Sequence, residues 1–121
     1  MEIIITGRIP SKKNSKTIVC RGRFPLVLPS NKYLAWHKEA SQQIAKLVPE
    51  KPIEKCEMIF TFFAPDLRKT DLTNKAESIA DLLVDLGFLV DDNWFILGDL
   101  HLKYGGLDRE NPRVEINIIE L

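Results

Sequence analysis

The stretch from Ile53 to Ala64 limits what this chain can build more than any other. Cys56, Met58, Phe60 and Phe62 alternate onto one side, and Ile59, Thr61 and Phe63 onto the other. A strand whose two faces are both largely apolar is expected to take a central place in a sheet. The remaining segments then have to supply its neighbours.

Glu2 to Ile9 reads as a first strand centred on Ile3, Ile4 and Ile5, closed by Pro10 and Ser11. Thr17 to Cys20 and Phe24 to Leu28 are short apolar runs, and Arg21-Gly22-Arg23 between them predicts a tight hairpin with arginines at its tip. Ser30 suits the N-cap of a helix in which Tyr33, Trp36, Ala40, Ile44 and Leu47 share one apolar face. Pro49 and Pro52 end it. A second helix is expected from about Thr73 or Asn74, buried through Ile79, Leu82, Leu83 and Leu86 and stopped by Gly87. Trp94 to Tyr104 and Arg113 to Leu121 read as the last strands. The order predicts an α+β fold, a single mixed β-sheet with two main helices packed on it, within one domain over residues 1–121.

The chain carries no formal net charge, but its charges are not evenly spread. Up to Ser30, Arg8, Lys12, Lys13, Lys16, Arg21 and Arg23 face Glu2 alone. From Asp71 to Glu110 acids outnumber bases, with Asp71, Glu77, Asp81, Asp85, Asp91 and Asp92 among them. A basic front beside an acidic centre suits a protein that holds phosphate next to a metal, although on charge alone a surface simply coated with charge is the simpler account. Cys20 and Cys56 have no metal-ligand spacing, which argues against zinc. No glycine loop of the nucleotide-binding kinds is present, so no nucleotide cofactor is expected. No apolar run is long enough to cross a bilayer, and the first residues lack a signal-peptide pattern. The expectation is a cytoplasmic protein with free thiols and no membrane contact.

Asp71 precedes the second helix, and Asp91 and Asp92 follow it. Gathered together, such carboxylates would suit Mg²⁺, a hard cation that prefers oxygen ligands and activates water. A helix from Asn74 to Leu86 is about 20 Å long, so the carboxylates meet only if the chain folds back. Two plainer roles fit the same residues: Asp71 as a helix cap, and Asp91-Asp92-Asn93 as a turn. Asp81 and Asp85 read as a solvated helix face. His37 reads as a surface residue and His101 as pointing away from Leu100 and Leu102.

Taken together, Phe63-Ala64-Pro65-Asp66, Asp71-Leu72-Thr73-Asn74, the helix end Leu82-Leu83-Val84-Asp85-Leu86-Gly87-Phe88 and Val90-Asp91-Asp92 form a recognisable string. It resembles the RusA family of Holliday-junction resolvases, often encoded by prophages. Ile9-Pro10-Ser11-Lys12-Lys13-Asn14 is similar to the family's Pro-Ser-x-x-Asn opening, and Ser30 to Trp36 to its first helix entry. The resemblance implies a homodimer that binds four-way DNA junctions in recombination and repair. It implies two symmetric nicks, made with Mg²⁺ or Mn²⁺ held by aspartates.

The family pattern Asp-x-Asp-Asn-x-x-Lys, followed by an Asp-Asp turn, is met at Asp71, Asn74, Asp91 and Asp92. It is not met at Thr73, where a second Asp is expected, or at Glu77, where the Lys is expected. Because i and i+4 share a helix face, Glu77 can replace the carboxylate missing from Thr73. The ligand set this implies is Asp71, Glu77 and Asp92, assisted by Asp91. Lys12, Lys13, Asn14, Lys16, Arg21, Arg23, Arg68, Lys69, Lys75 and Lys103 are the candidate DNA contacts. Two other functions remain open: a RusA-like protein that binds DNA without cutting it, and a nuclease for other branched DNA.

Overall fold

The structure, a computed structural model, describes residues 1–11, 16–22 and 24–121. Its elements in chain order are β1 (Glu2–Thr6), β2 (Lys16–Arg21), β3 (Phe24–Pro29), α1 (Asn31–Ile44), β4 (Cys56–Ala64), α2 (Leu72–Leu86), β5 (Leu97–Leu107) and β6 (Arg113–Glu120). β1, β6, β4 and β5 lie side by side in that order in a four-stranded sheet. β4 is antiparallel to β6 and parallel to β5. The fold is thus α+β with one mixed sheet and two helices, and β4 is an inner strand as expected, although only its Met58, Phe60 and Phe62 face is buried while Ile59, Thr61 and Phe63 are half-buried. The β2–β3 hairpin forms a separate two-stranded sheet rather than joining the main one.

One side of β4, with Met58, Phe60 and Phe62, is buried together with Ile3 and Ile5 of β1 and Val114, Ile116 and Ile118 of β6. Ala40 and Ile44 of α1 and Ile79, Leu82 and Leu83 of α2 belong to the same core. A hole left by truncating Phe60 to alanine would cost about 3–5 kcal/mol. Ser30 caps α1 as expected, its Oγ accepting from the Tyr33 amide at 3.1 Å. Gly87 ends α2 at φ 86°, and the Phe88 amide reaches back to the Leu83 carbonyl at 2.9 Å. That backbone needs a residue without a Cβ penalty in the left-handed region.

Several boundaries differ from the sequence reading. β4 begins at Cys56, not Ile53; Ile53 instead makes a lone parallel bridge to Leu89, and its amide donates to the Phe88 carbonyl at 2.8 Å. α2 begins at Leu72, a residue or two early. β5 begins at Leu97, not Trp94, because Asn93 holds a turn there. Its Oδ1 accepts from the amides of Phe95 at 3.0 Å and Ile96 at 3.3 Å. Trp94 and Phe95 are left 81% and 76% exposed. Leu47 lies past the end of α1 in a short 3-10 turn and is exposed, so it does not extend the apolar face.

The polar faces of α1 and α2 meet where free solvated charges were expected. The Tyr33 hydroxyl donates to Asp81 at 3.1 Å, and His37 Nε2 lies 2.9 Å from Asp85. Burial, and then the Asp81 charge, push the Tyr33 phenol well above its ordinary value. His37 is therefore part of a helix–helix contact, and Asp81 and Asp85 are not merely a solvated face.

Candidate functional site

Asp71 follows the loop out of β4 and occupies the N-cap position of α2 with extended backbone, φ −83° and ψ 126°. Its carboxylate does not cap the helix amides, so the plain cap role is not the one it fills. It accepts instead from Asn74 Nδ2 at 3.2 Å. Asp71 and Asn74 stand at the wall of a cleft of about 720 Å³. Five cationic residues line the same cleft: Arg8, Lys32, Arg68, Lys69 and Lys75.

Asp66 engages two of the five. Its Oδ2 accepts from Arg8 at 2.6 Å and from Arg68 at 3.1 Å, and Oδ1 takes the Arg68 amide at 3.0 Å. Arg68 first, and Arg8 second, hold the Asp66 carboxyl far below the usual carboxylate range. Lys75 is turned inward. Its Nζ donates to the Ile9 carbonyl, and burial, with Arg8 next, lowers its ammonium pKa. One turn further along α2, the buried Ser78 donates to the Pro10 carbonyl at 2.8 Å. α2 therefore pins Ile9-Pro10 against itself and fixes where the chain leaves toward residue 12.

Two buried donors in this cleft stand out. Ser11 Oγ and Trp36 Nε1 are shielded from solvent and have no hydrogen-bond partner among the described residues. Both residues line the cleft. A buried polar group without a partner costs free energy that a bound acceptor would return. Phosphate oxygens are such acceptors, and their charge suits the surrounding cations. The sequence reading missed Ser11, Trp36, Lys32 and Arg8 as cleft residues, because no local spacing marks side chains that meet only after folding.

The other candidate carboxylates lie elsewhere. Asp91 holds its own turn, accepting from the Asp92 amide at 2.8 Å and from Asn93 Nδ2 at 2.9 Å. These bonds, the amide first, keep its pKa below the usual range. Asp92 and Glu77 are exposed. The turn sits beside the start of β4: Val90 donates to the Ile53 carbonyl at 3.1 Å, and Cys56 to the Ile96 carbonyl at 2.8 Å. Asp71 follows the other end of β4. The two sites are thus separated by on the order of 20 Å, the length of α2 at 1.5 Å per residue. Among the described residues no three carboxylates, imidazoles or thiols gather as a metal site requires. Oxygen donors of this kind suit Mg²⁺, but a ligand set of Asp71, Glu77, Asp91 and Asp92 is not assembled within one chain.

Of the candidate DNA contacts, Arg68, Lys69 and Lys75 are in the cleft. Lys103 lies in β5, paired with Thr61. Lys16 and Arg21 begin and end β2, while Lys12, Lys13, Asn14 and Arg23 fall outside the described residues. Cys56 is a free, buried thiol. Among the described residues no helix is long and apolar enough to cross a membrane. Comparison with protein-family models finds no match, and comparison with curated proteins finds none either.

Proposed function

We propose that the protein is a structure-specific, metal-dependent endodeoxyribonuclease that resolves four-way DNA junctions by paired nicks. In this reading it is a RusA-like resolvase that works in the cytoplasm as a homodimer with Mg²⁺ or Mn²⁺. The observation that carries it is the cleft at Asp71, where cationic side chains and two unpartnered buried donors surround a carboxylate. Such a cleft suits a phosphodiester: the cations hold the phosphate, and Ser11 and Trp36 offer hydrogen bonds to its oxygens. Lys12, Lys13, Asn14, Lys16, Arg21 and Arg23 are further candidates for phosphate contacts by their charge and polarity.

A second reading, a protein that binds junctions without cutting them, is favoured by one observation: the carboxylates of a single chain stay apart. Synthetic four-way junctions labelled on each strand, incubated with Mg²⁺ and run on a denaturing gel, separate the two. Symmetric paired nicks are expected. Retarded but uncut junctions would favour the second reading, and preferential cutting of flaps would point to another branched substrate. Glu77→Gln in the same assay reads the part of the departing carboxylate; near-normal nicking would remove Glu77 from the site.

A further inference from the structure

A second hollow adjoins the cleft at Asp71 and differs from it in character. Its volume is about 410 Å³, within the range of about 300–1,000 Å³ usual for sites that take small organic groups. It opens where strands end. β4 stops at Ala64 and its parallel neighbour β5 nears its end at Tyr104, while β1 runs out into Gly7 and β6 starts at Arg113. The carboxyl ends of parallel strands are a common place for a ligand to be held. The chain from Pro65 to Thr70 forms one wall of the hollow, and Leu72 and Lys75 of α2 form another.

Part of its lining is apolar and aromatic. Ile9 and Phe62 are buried, and Phe63 and Tyr104 line the hollow with them. Tyr104 lies opposite Phe62, on the side of the sheet that carries the core, yet it is 60% exposed. Its ring belongs to the rim. The rest of the lining is cationic. Arg8, Arg68, Lys69 and Lys75 border both the hollow and the cleft, so they form the partition between the two. Asp66 fixes two of them. Its Oδ2 accepts from Arg8 Nη2 at 2.6 Å and from Arg68 Nε and Nη2 at 3.1 Å each. A guanidinium carries five N–H donors, so both arginines keep donors beyond those given to Asp66.

We propose that the hollow holds the base of a nucleotide whose phosphate lies in the adjoining cleft, and that this nucleotide belongs to a bound strand. The inference rests on the phosphate reading of the cleft given above. An apolar guest alone would leave the cations of the partition without counter-charge, and a phosphate alone would leave the aromatic lining unused. A nucleotide joins both. Its flat ring stacks on aromatic side chains and guanidinium planes, and its anion lies one sugar away. Charge favours a strand over a free nucleotide. Arg8, Lys32, Arg68, Lys69 and Lys75 stand against Asp66 and Asp71, a surplus of three positive charges. One monophosphate brings about two negative charges at most, whereas a strand adds another with every phosphate. A base reaches such a hollow only when it is turned out of the stack, which costs least where pairing is already interrupted.

Ligand-observed NMR on the full chain, with no metal added, reads the hollow through two small probes. Deoxyadenosine monophosphate and deoxyribose phosphate share the anion and differ only in the base. The nucleotide should bind roughly ten-fold more tightly, the size expected for stacking one base. Ala64→Leu adds bulk at the end of β4 and should abolish that gain while leaving the sugar phosphate as it was. Tyr104→Ala, at the exposed rim, should reduce the gain without touching the core. Equal binding of the two probes, or a gain that survives both variants, would overturn the base site and leave the phosphate cleft standing. A sugar phosphate that does not bind, beside a nucleotide that does, would sink the phosphate reading and leave the base site. Failure of both probes would overturn both.

The strand is tested with four-way junctions that lack a base at one position at a time, titrated by fluorescence anisotropy without metal. Removing the base that enters the hollow should lower affinity several-fold, and only at a position close to the branch point. With Ala64→Leu the same abasic junction should bind like its intact counterpart. Equal affinity at every abasic position would overturn the strand as the source of the base.

Discussion

Ser78 Oγ donates to the Pro10 carbonyl at 2.8 Å, and Ser78 is the only polar side chain fully buried among the described residues. It lies in the middle of α2 and bonds across to the segment that opens the basic loop. Ser78→Ala leaves that carbonyl without its partner and is expected to cost about 1–3 kcal/mol. Urea unfolding at pH 7 measures this. The loss should also reach the cleft, because Lys75 alone then holds Ile9-Pro10. Junction affinity by fluorescence anisotropy is expected to fall several-fold. A stable variant with unchanged affinity would separate α2 from the loop's role.

Asp66 gives the fold a pH dependence of defined sign. Its folded carboxyl titrates below the ordinary value because Arg68 and Arg8 stabilise the charged form. A depressed carboxylate contributes stability that is complete above the unfolded pKa, about 4, and is lost as pH falls through the folded value. Asp66→Asn should therefore lower the urea midpoint at pH 7, with the gap to the parent closing below about pH 4. The same variant frees two guanidinium groups in the cleft. DNA affinity at low salt should rise, and the salt dependence should steepen. Parallel midpoint curves across the acid range would contradict the assignment.

Trp36→Phe distinguishes a structural ring from a ligand-binding one. The ring packs at 5.7 Å from Tyr33, and a phenyl keeps much of that contact. The indole N–H has no partner among the described residues, so its removal should leave the unfolding midpoint unchanged or slightly raised. Junction affinity, in contrast, should drop by several-fold. Lys69→Gln is the control for pure charge: it should weaken binding evenly across sequences and reduce the salt slope by about one. An unchanged Kd for Trp36→Phe would remove the indole from the interface.

Gly105 sits where no side chain fits. A Cβ there would lie 2.7 Å from the Phe63 ring and 2.9 Å from Thr61 Cγ2. Phe63 has little freedom to withdraw, since the Arg113 guanidinium stacks 3.9 Å above it and is itself held by Asp108 and Glu115. Gly105→Ala should cost about 1–3 kcal/mol through overpacking. Adding Phe63→Leu should return part of the loss, which thermal unfolding of the single and double variants would show.

The sheet and the helices were legible because they rest on periodicity. Met58, Phe60 and Phe62 alternate, Ile79, Leu82 and Leu83 recur helically, and Ser30 and Gly87 bracket their helices chemically. The boundary at Leu97 was not legible, since Trp94-Phe95-Ile96 has strand composition and only the Asn93 side chain turns it aside. Asp81 and His37 were misplaced for a related reason: a polar helix face looks solvated until a second polar face packs on it. Asp71, Arg68 and Lys69 were recognisable from their order along the chain. Their cleft companions Arg8, Ser11, Lys32 and Trp36 come from distant segments, and no local pattern joins them.

The position of β6 has a consequence for how the chain is made. It leaves the ribosome after β1, β4 and β5, yet it lies between β1 and β4. Until it arrives, β1 has no partner in the sheet, and one hydrogen-bonding edge of β4 is unpaired. The central slot can therefore be filled only once β6 has been made, which makes the closing of the sheet a long-range step in sequence. Chains released before β6 emerges cannot complete the sheet and present two unpaired inner edges. Such products should be the ones captured by chaperones or degraded.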